Sequence, residues 1–137
     1  MKGEPKYPRR GDVEIPLLKV LCQMGGSVQL SIRGRELENR VADILNLSLE
    51  QREFSAVNYS CEGSRKWRNE LQFVRNSLAD KGQLDSSRHD FWTVSVAGYT
   101  RIGVPPPKHA PDIESTYRRT RGANAQTMRR QAILDQL

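Results

Sequence analysis

The spacing of apolar residues changes several times along this chain, and each change marks an element. From Asp12, the residues Val13, Ile15, Leu17, Leu18, Val20, Leu21 and Met24 form a stripe broad enough to predict a mostly buried helix, and Gly25-Gly26 supplies its stop. Pro16 fits such a helix in the first turn, where a missing N–H costs little. A short extended piece follows over residues 27–30. Leu37, Val41, Ile44 and Leu45 then fall at i, i+4, i+7 and i+8, predicting a second, amphipathic helix over residues 34–45 that stops at Asn46. Ser48 and Gln51 have the spacing of a capping box, so residues 49–54 read as a short third helix. Residues 55–63 carry little periodicity.

The fourth helix is the most informative. Ser64 suits an N-cap and Gly82 a C′ position, and Trp67, Leu71, Val74 and Leu78 recur at helical spacing with Phe73 widening the stripe. After Gly82 the period shortens to two: Gln83-Leu84-Asp85, a polar run from Ser86 to Asp90, then Phe91-Trp92-Thr93-Val94-Ser95. That pattern predicts a β-hairpin, and residues 96–102 add one or two helical turns. Short helices followed by a hairpin give a mainly α fold with a small β-hairpin, in the order of a winged helix-turn-helix. Residues 1–11, with two prolines and four basic side chains, read as a flexible basic arm. Residues 12–104 form the expected winged-helix domain. Gly103-Val104-Pro105-Pro106-Pro107 marks its end, and residues 105–137 read as a proline-rich linker and a C-terminal helix carrying Met128, Ala132, Ile133 and Leu137. The apolar Leu137 without a cap suggests an N-terminal piece of a longer protein.

Composition adds a partner class. With 137 residues the chain has room for one ordinary domain, and 36% apolar residues with a mean hydropathy of −0.68 fill a core for roughly two thirds of it. The formal charge of +6 and pI near 9.7 favour a polyanion, with nucleic acid first. Both the tail and residues 1–104 are basic, so charge alone does not single out the binding element. Cys22 and Cys61 read as reduced thiols, and with only His89 and His109 to add, neither a metal site nor a cofactor is expected. No stretch reaches the ~20 apolar residues of a membrane span, and no apolar run follows the basic start as in a signal peptide. The expectation is a cytoplasmic protein with no membrane partner.

The side of the fourth helix opposite its apolar stripe holds Arg65, Lys66, Arg68, Asn69, Gln72, Arg75 and Asn76. A major groove about 12 Å wide admits one helix, Arg pairs bidentately with guanine, and Asn or Gln pairs with adenine. Arg65, Lys66, Arg68, Asn69 and Gln72, in the first half, are therefore the candidate base readers. Arg75 and Lys81 suit phosphates, which position a duplex without specifying it. Arg88 and His89, at the hairpin tip, suit a wing on the backbone or minor groove. Against this stands the plain alternative that solvated helix faces are commonly rich in the same residues. Trp67, Phe73 and Trp92 read as core rather than as stacking platforms. The carboxylate pairs Asp12 with Glu14, Glu36 with Glu38, and Asp85 with Asp90 have no catalytic partner at useful spacing, and Glu36 and Glu38 read as solvent-facing. No enzymatic activity is expected of this chain alone.

Residues 15–21, residues 41–48, and above all residues 69–84 with Phe91-Trp92-Thr93-Val94-Ser95-Val96-Ala97-Gly98 resemble the N-terminal winged-helix domain of Mrr-type restriction proteins. In that family a helix with an aromatic residue, then Ala-Arg and a leucine three residues on, leads to a Gly-Leu pair, a hairpin and a Trp-x-Leu-Thr-x-x-Gly stretch. Phe73 stands at the aromatic place and Val74 at the alanine, while Arg75 and Leu78 match. Gly82 and Leu84 match with Gln83 between them. Trp92 and Gly98 keep their places, and Val94-Ser95 stands where Leu-Thr is usual. The resemblance covers residues 12–102. It implies a double-stranded DNA recognition module of a modification-dependent restriction endonuclease, reading methylated or otherwise modified bases and covalently linked to a nuclease domain outside this chain. A homodimer stays open, as do a transcriptional regulator and a protein-interaction module built on the same fold.

Overall fold

The computed structural model describes residues 4–55 and 65–113. Ser64, Cys61, most of the aperiodic stretch and the C-terminal helix therefore lie outside the described residues. The described part is mainly helical with one small antiparallel sheet, ordered α1 (Arg10–Gln23), β1 (Ser27–Gln29), α2 (Leu30–Ile44), α3 (Leu49–Glu53), α4 (Lys66–Asp80), β2 (Leu84–Asp85), β3 (Phe91–Val94) and α5 (Val96–Arg101).

Helix α1 is the spine. Val13, Leu17, Leu18, Val20 and Leu21 are fully buried and pack it against α2, α4, β3 and α5. Pro16 is its seventh residue rather than a first-turn residue, so the Asp12 carbonyl has no intrahelical donor; Asp12 is exposed, where water can take that role. Gly25 and Gly26 stop the helix at φ +106° and +87°, which only glycine takes without strain.

The extended piece after these glycines is a third strand. The sheet order is β1-β3-β2, with Val28 opposite Trp92, Ser27 opposite Thr93 and Leu84 opposite Val94. Val28, Leu84, Trp92 and Val94 point to the core, and the Ser27 and Thr93 hydroxyls share a 2.7 Å hydrogen bond on the other face. The hairpin expected from residues 83–95 thus supplies two strands of a three-stranded sheet, with β3 in the middle.

Helix α2 begins four residues earlier than its apolar stripe indicates. The hairpin supplies the reason: the Leu30 amide donates to the Asp90 carbonyl at 2.8 Å, and the Ser31 amide to the Asp90 carboxylate at 3.0 Å. A residue distant in sequence does the work of an N-cap side chain. At its other end Ile44 is 46% exposed, contrary to the expected stripe, because the helix ends there and Asn46 at φ +55° turns the chain so that Leu47 enters the core. The Ser48–Gln51 capping box is present at α3.

The N-terminal residues described here are docked. Tyr7 stacks on Trp67 at 5.8 Å and 6°, and its hydroxyl donates to the Gln51 carbonyl at 2.7 Å. Contacts also continue past residue 104. Ala110 packs on the core, and the Val96 amide donates to the Pro111 carbonyl at 2.8 Å, so the stretch after the three prolines folds back on α5.

Candidate nucleic-acid interface

Burial of Trp67, Leu71, Val74 and Leu78 fixes how α4 faces the rest of the molecule. Helical geometry then turns Asn69, Gln72, Phe73 and Asn76 outward, puts Arg68 and Arg75 on the flank toward α2 and the hairpin, and puts Glu70 and Ser77 on the flank toward α1. The outermost surface of α4 is accordingly amide-rich, and its cations sit at the sides.

Phe73 is not a core residue. It is 44% exposed, and the Arg10 guanidinium covers its ring at 4.1 Å while donating twice to Glu70 at 3.2 Å. Trp67 and Trp92 are buried as expected.

The cations meet carboxylates whose sequence spacing gives them no partner, and Glu38, expected to face solvent, is buried. Glu36 pairs at the surface with Arg33 and Arg40, but Glu38, two residues on, is only 2% exposed. It accepts from Arg65 at 2.9 and 2.8 Å and also from Arg68 Nε, and its backbone carbonyl accepts from Trp67 Nε1 at 3.0 Å. The hydrogen bonds from Arg65 to Glu38 outweigh burial and raise the Arg65 pKa further. With two arginines on it, Glu38 keeps one partner when the other moves; losing both would strand a buried charge, at a cost of about 3–5 kcal/mol. Arg65 is therefore a brace between α2 and α4.

Arg68 lies against the bare backbone of Gly34, where any Cβ would run into its guanidinium. Lys66 lies 3.4 Å from Glu4. Lys81, expected to meet phosphate, donates at 2.9 Å to both oxygens of buried Glu14, which also accepts from Arg101 at 2.6 Å and Ser77 at 3.1 Å. Burial opposes ionisation of Glu14, but the hydrogen bonds and charges of Lys81 and Arg101 prevail and hold its carboxyl below the ordinary range.

Four of the candidate residues do converge. Arg68, Gln72 and Arg75 from α4 and His89 from the hairpin line a cleft of ≈ 210 Å³ with Leu30, Asp90 and Trp92. Arg75 Nη1 donates to Asn76 at 2.7 Å, its guanidinium carbon lies 6.0 Å from the Trp92 ring centroid, and its Nε is buried with no partner. The Asp90 carboxylate accepts from the Ser31 hydroxyl as well as the amide, and the hydroxyl bond is the main cause that holds it below the usual carboxylate range. Arg88 is exposed at the tip with its guanidinium 4.0 Å over the Phe91 ring.

Asn69 stays on the outward side of α4, half-buried, next to Gln72 and Asn76. Asn76, exposed at the i+7 position from Asn69, belongs with these amides, and its spacing in the sequence was the available signal. Leu30, Asp90 and Trp92 have no comparable signal, because only the tertiary fold brings them to α4.

Among the described residues no helix is long and apolar enough to cross a membrane, and no three His, Cys, Asp or Glu side chains gather as metal ligands. Comparison with protein families, with curated proteins and with solved structures finds no match for this chain.

Proposed function

We propose that this chain is a winged-helix module that binds double-stranded DNA, with α4 as the recognition helix and the β2–β3 loop as the wing. The observation that carries the proposal is the position of α4. Its apolar stripe is sealed by the core, its outward amides Asn69, Gln72 and Asn76 are framed on one side by Arg68 and Arg75, and the hairpin tip with Arg88 and His89 stands beside that flank. The order of elements and the β1-β3-β2 sheet are compatible with a winged-helix layout. Outward amides suit adenine edges, and Arg68, backed by Glu38, presents its remaining donors in a fixed direction. The resemblance to Mrr-type proteins extends the proposal: the module targets a modification-dependent restriction endonuclease and reads methylated or otherwise modified bases in the major groove.

The test is titration of labelled duplexes, methylated and unmodified, with the full chain. Gln72→Ala and Asn69→Ala should weaken binding and narrow the difference between the two duplexes. Equal, salt-independent retention of every duplex, or no binding to any, overturns the proposal.

A second reading has one observation in its favour. Phe73 puts an exposed aromatic ring on the same outward surface, and aromatic residues are enriched where proteins meet proteins. A protein-interaction module predicts concentration-dependent self-association or partner capture that Phe73→Ala abolishes, with no duplex affinity at all.

A further inference from the structure

The cleft between α4 and the hairpin tip has a lopsided chemistry. Arg68, Arg75, Gln72 and His89 bring N–H donors to it from two elements. Its one carboxylate, Asp90, gives one oxygen each to the Ser31 amide and hydroxyl, which holds the hairpin to α2 and directs part of its acceptor capacity away from a ligand. Arg68 shares its charge with Glu38, whereas Arg75, among the described residues, meets no carboxylate within 4.0 Å and keeps a buried Nε without a partner. A concave site with donors on several sides, one uncompensated guanidinium and its acceptor partly engaged suits an oxyanion and disfavours a cation or a hydrogen-bond donor.

We propose that this cleft seats one backbone phosphate of the bound DNA, with Arg75 as the principal ligand and Arg68, Gln72 and His89 around it. The inference rests on the duplex-binding reading and sharpens it. Because the cleft divides α4 from the hairpin, one DNA strand passes between them, leaving α4 on the major-groove side of that strand and Arg88 on the other. Glu38 acts here as a positioning residue: its bond to Arg68 Nε fixes the guanidinium at the edge of the cleft. The site therefore exists before the ligand arrives, which limits the ordering cost of binding.

A phosphate scan tests the proposal. Duplexes each carrying a single neutral methylphosphonate, moved stepwise along both strands, are titrated with the wild-type chain and with Arg75→Ala. Neutralising one particular position should weaken the wild type about tenfold, the scale of a hydrogen bond to a charged group, and leave Arg75→Ala indifferent. Gln72→Glu, an exposed substitution that puts a carboxylate at the cleft, should lose the same position while melting like the wild type. If Arg75→Ala melts early, Arg75→Gln takes its place.

Duplex binding without any position coupled to residue 75 overturns the phosphate site and leaves the duplex reading standing. In a parallel arm, inorganic phosphate is titrated while the Gln72 side-chain amide is followed by NMR, with chloride at equal ionic strength as the control. A phosphate-specific shift without duplex affinity overturns the DNA backbone as the source and the duplex reading with it, leaving a site for free phosphate. No shift and no duplex affinity overturns both.

Discussion

At the scale of single residues, the molecule is governed by two buried carboxylates that gather the basic side chains around them. Glu38 takes Arg65 and Arg68 from the α4 flank, and Glu14 takes Lys81 and Arg101 from the ends of α4 and α5. Glu38→Gln leaves two guanidinium groups facing a neutral amide and should lower stability by about 3 kcal/mol, seen as a lower urea midpoint with an unchanged slope. Glu14 has a pH signature. Its native pKa is depressed, so its contribution is complete above the unfolded value of about 4.3 and is lost as pH falls through the lower native value. Acid unfolding of the wild type should therefore be steeper below that point than in Glu14→Gln, with urea midpoints measured at stepped pH as the check. Gly34→Ala separates stability from site geometry. Alanine favours the helix by up to about 1 kcal/mol over glycine, but its Cβ meets the flexible end of Arg68, which can swing aside. The melting temperature should hold or rise while duplex affinity changes, and unchanged affinity would show that Arg68 is not part of the interface.

At the scale of elements, the relation of hairpin to helix is fixed by Asp90, whose backbone carbonyl and carboxylate hold the first two amides of α2. Asp90→Ala should cost about 1–2 kcal/mol, as the loss of a capping side chain does, and should speed hydrogen exchange at the Ser31 amide before it affects the α4 core. The same contact shows what was legible in the sequence and what was not. The buried stripe of α4, the glycine stops at Gly25 and Gly82, and the Ser48–Gln51 cap depend on neighbours within a few residues, and periodicity exposes them. The early start of α2, the pairing of the extended Ser27–Gln29 piece with β3 and the burial of Glu38 depend on partners 27 or more residues away, and no local spacing encodes them. Phe73 departs from the core position its spacing predicts for a related reason. It borders the apolar stripe, and only the cover provided by Arg10, from the far end of α1, makes its outward position tolerable. Gln72, Arg75 and His89 were legible as polar, outward residues, but their meeting in one cleft follows from the hairpin folding back to α2.

At the scale of the whole molecule, the 22 basic residues overstate the number of cations a polyanion would meet unengaged. Of the basic residues on α4 and at its ends, Arg65, Lys66, Arg68 and Lys81 each lie within 4.0 Å of a carboxylate, and Arg10, Arg33, Arg35, Arg40, Arg52 and Arg101 do so elsewhere. Opening such a pair to reach a phosphate exchanges one ionic contact for another and returns little free energy where the carboxylate is buried. Near the proposed interface, Arg75 and Arg88 rest on aromatic rings instead, and an arginine on a ring can turn toward a phosphate without leaving a carboxylate unpaired. The number of phosphates neutralised by the described residues should therefore be small. The slope of log Kobs against log salt should lie near −2 to −3, about 0.9 per phosphate, where six independent charges would give roughly −5. Arg75→Ala and Arg88→Ala should each flatten the slope by about one unit, and the double variant by about two. A slope near −5 that neither substitution alters would place the contacts elsewhere, on the basic residues of the 114–137 segment, and Arg118→Ala with Arg119→Ala and Arg121→Ala would then carry the loss.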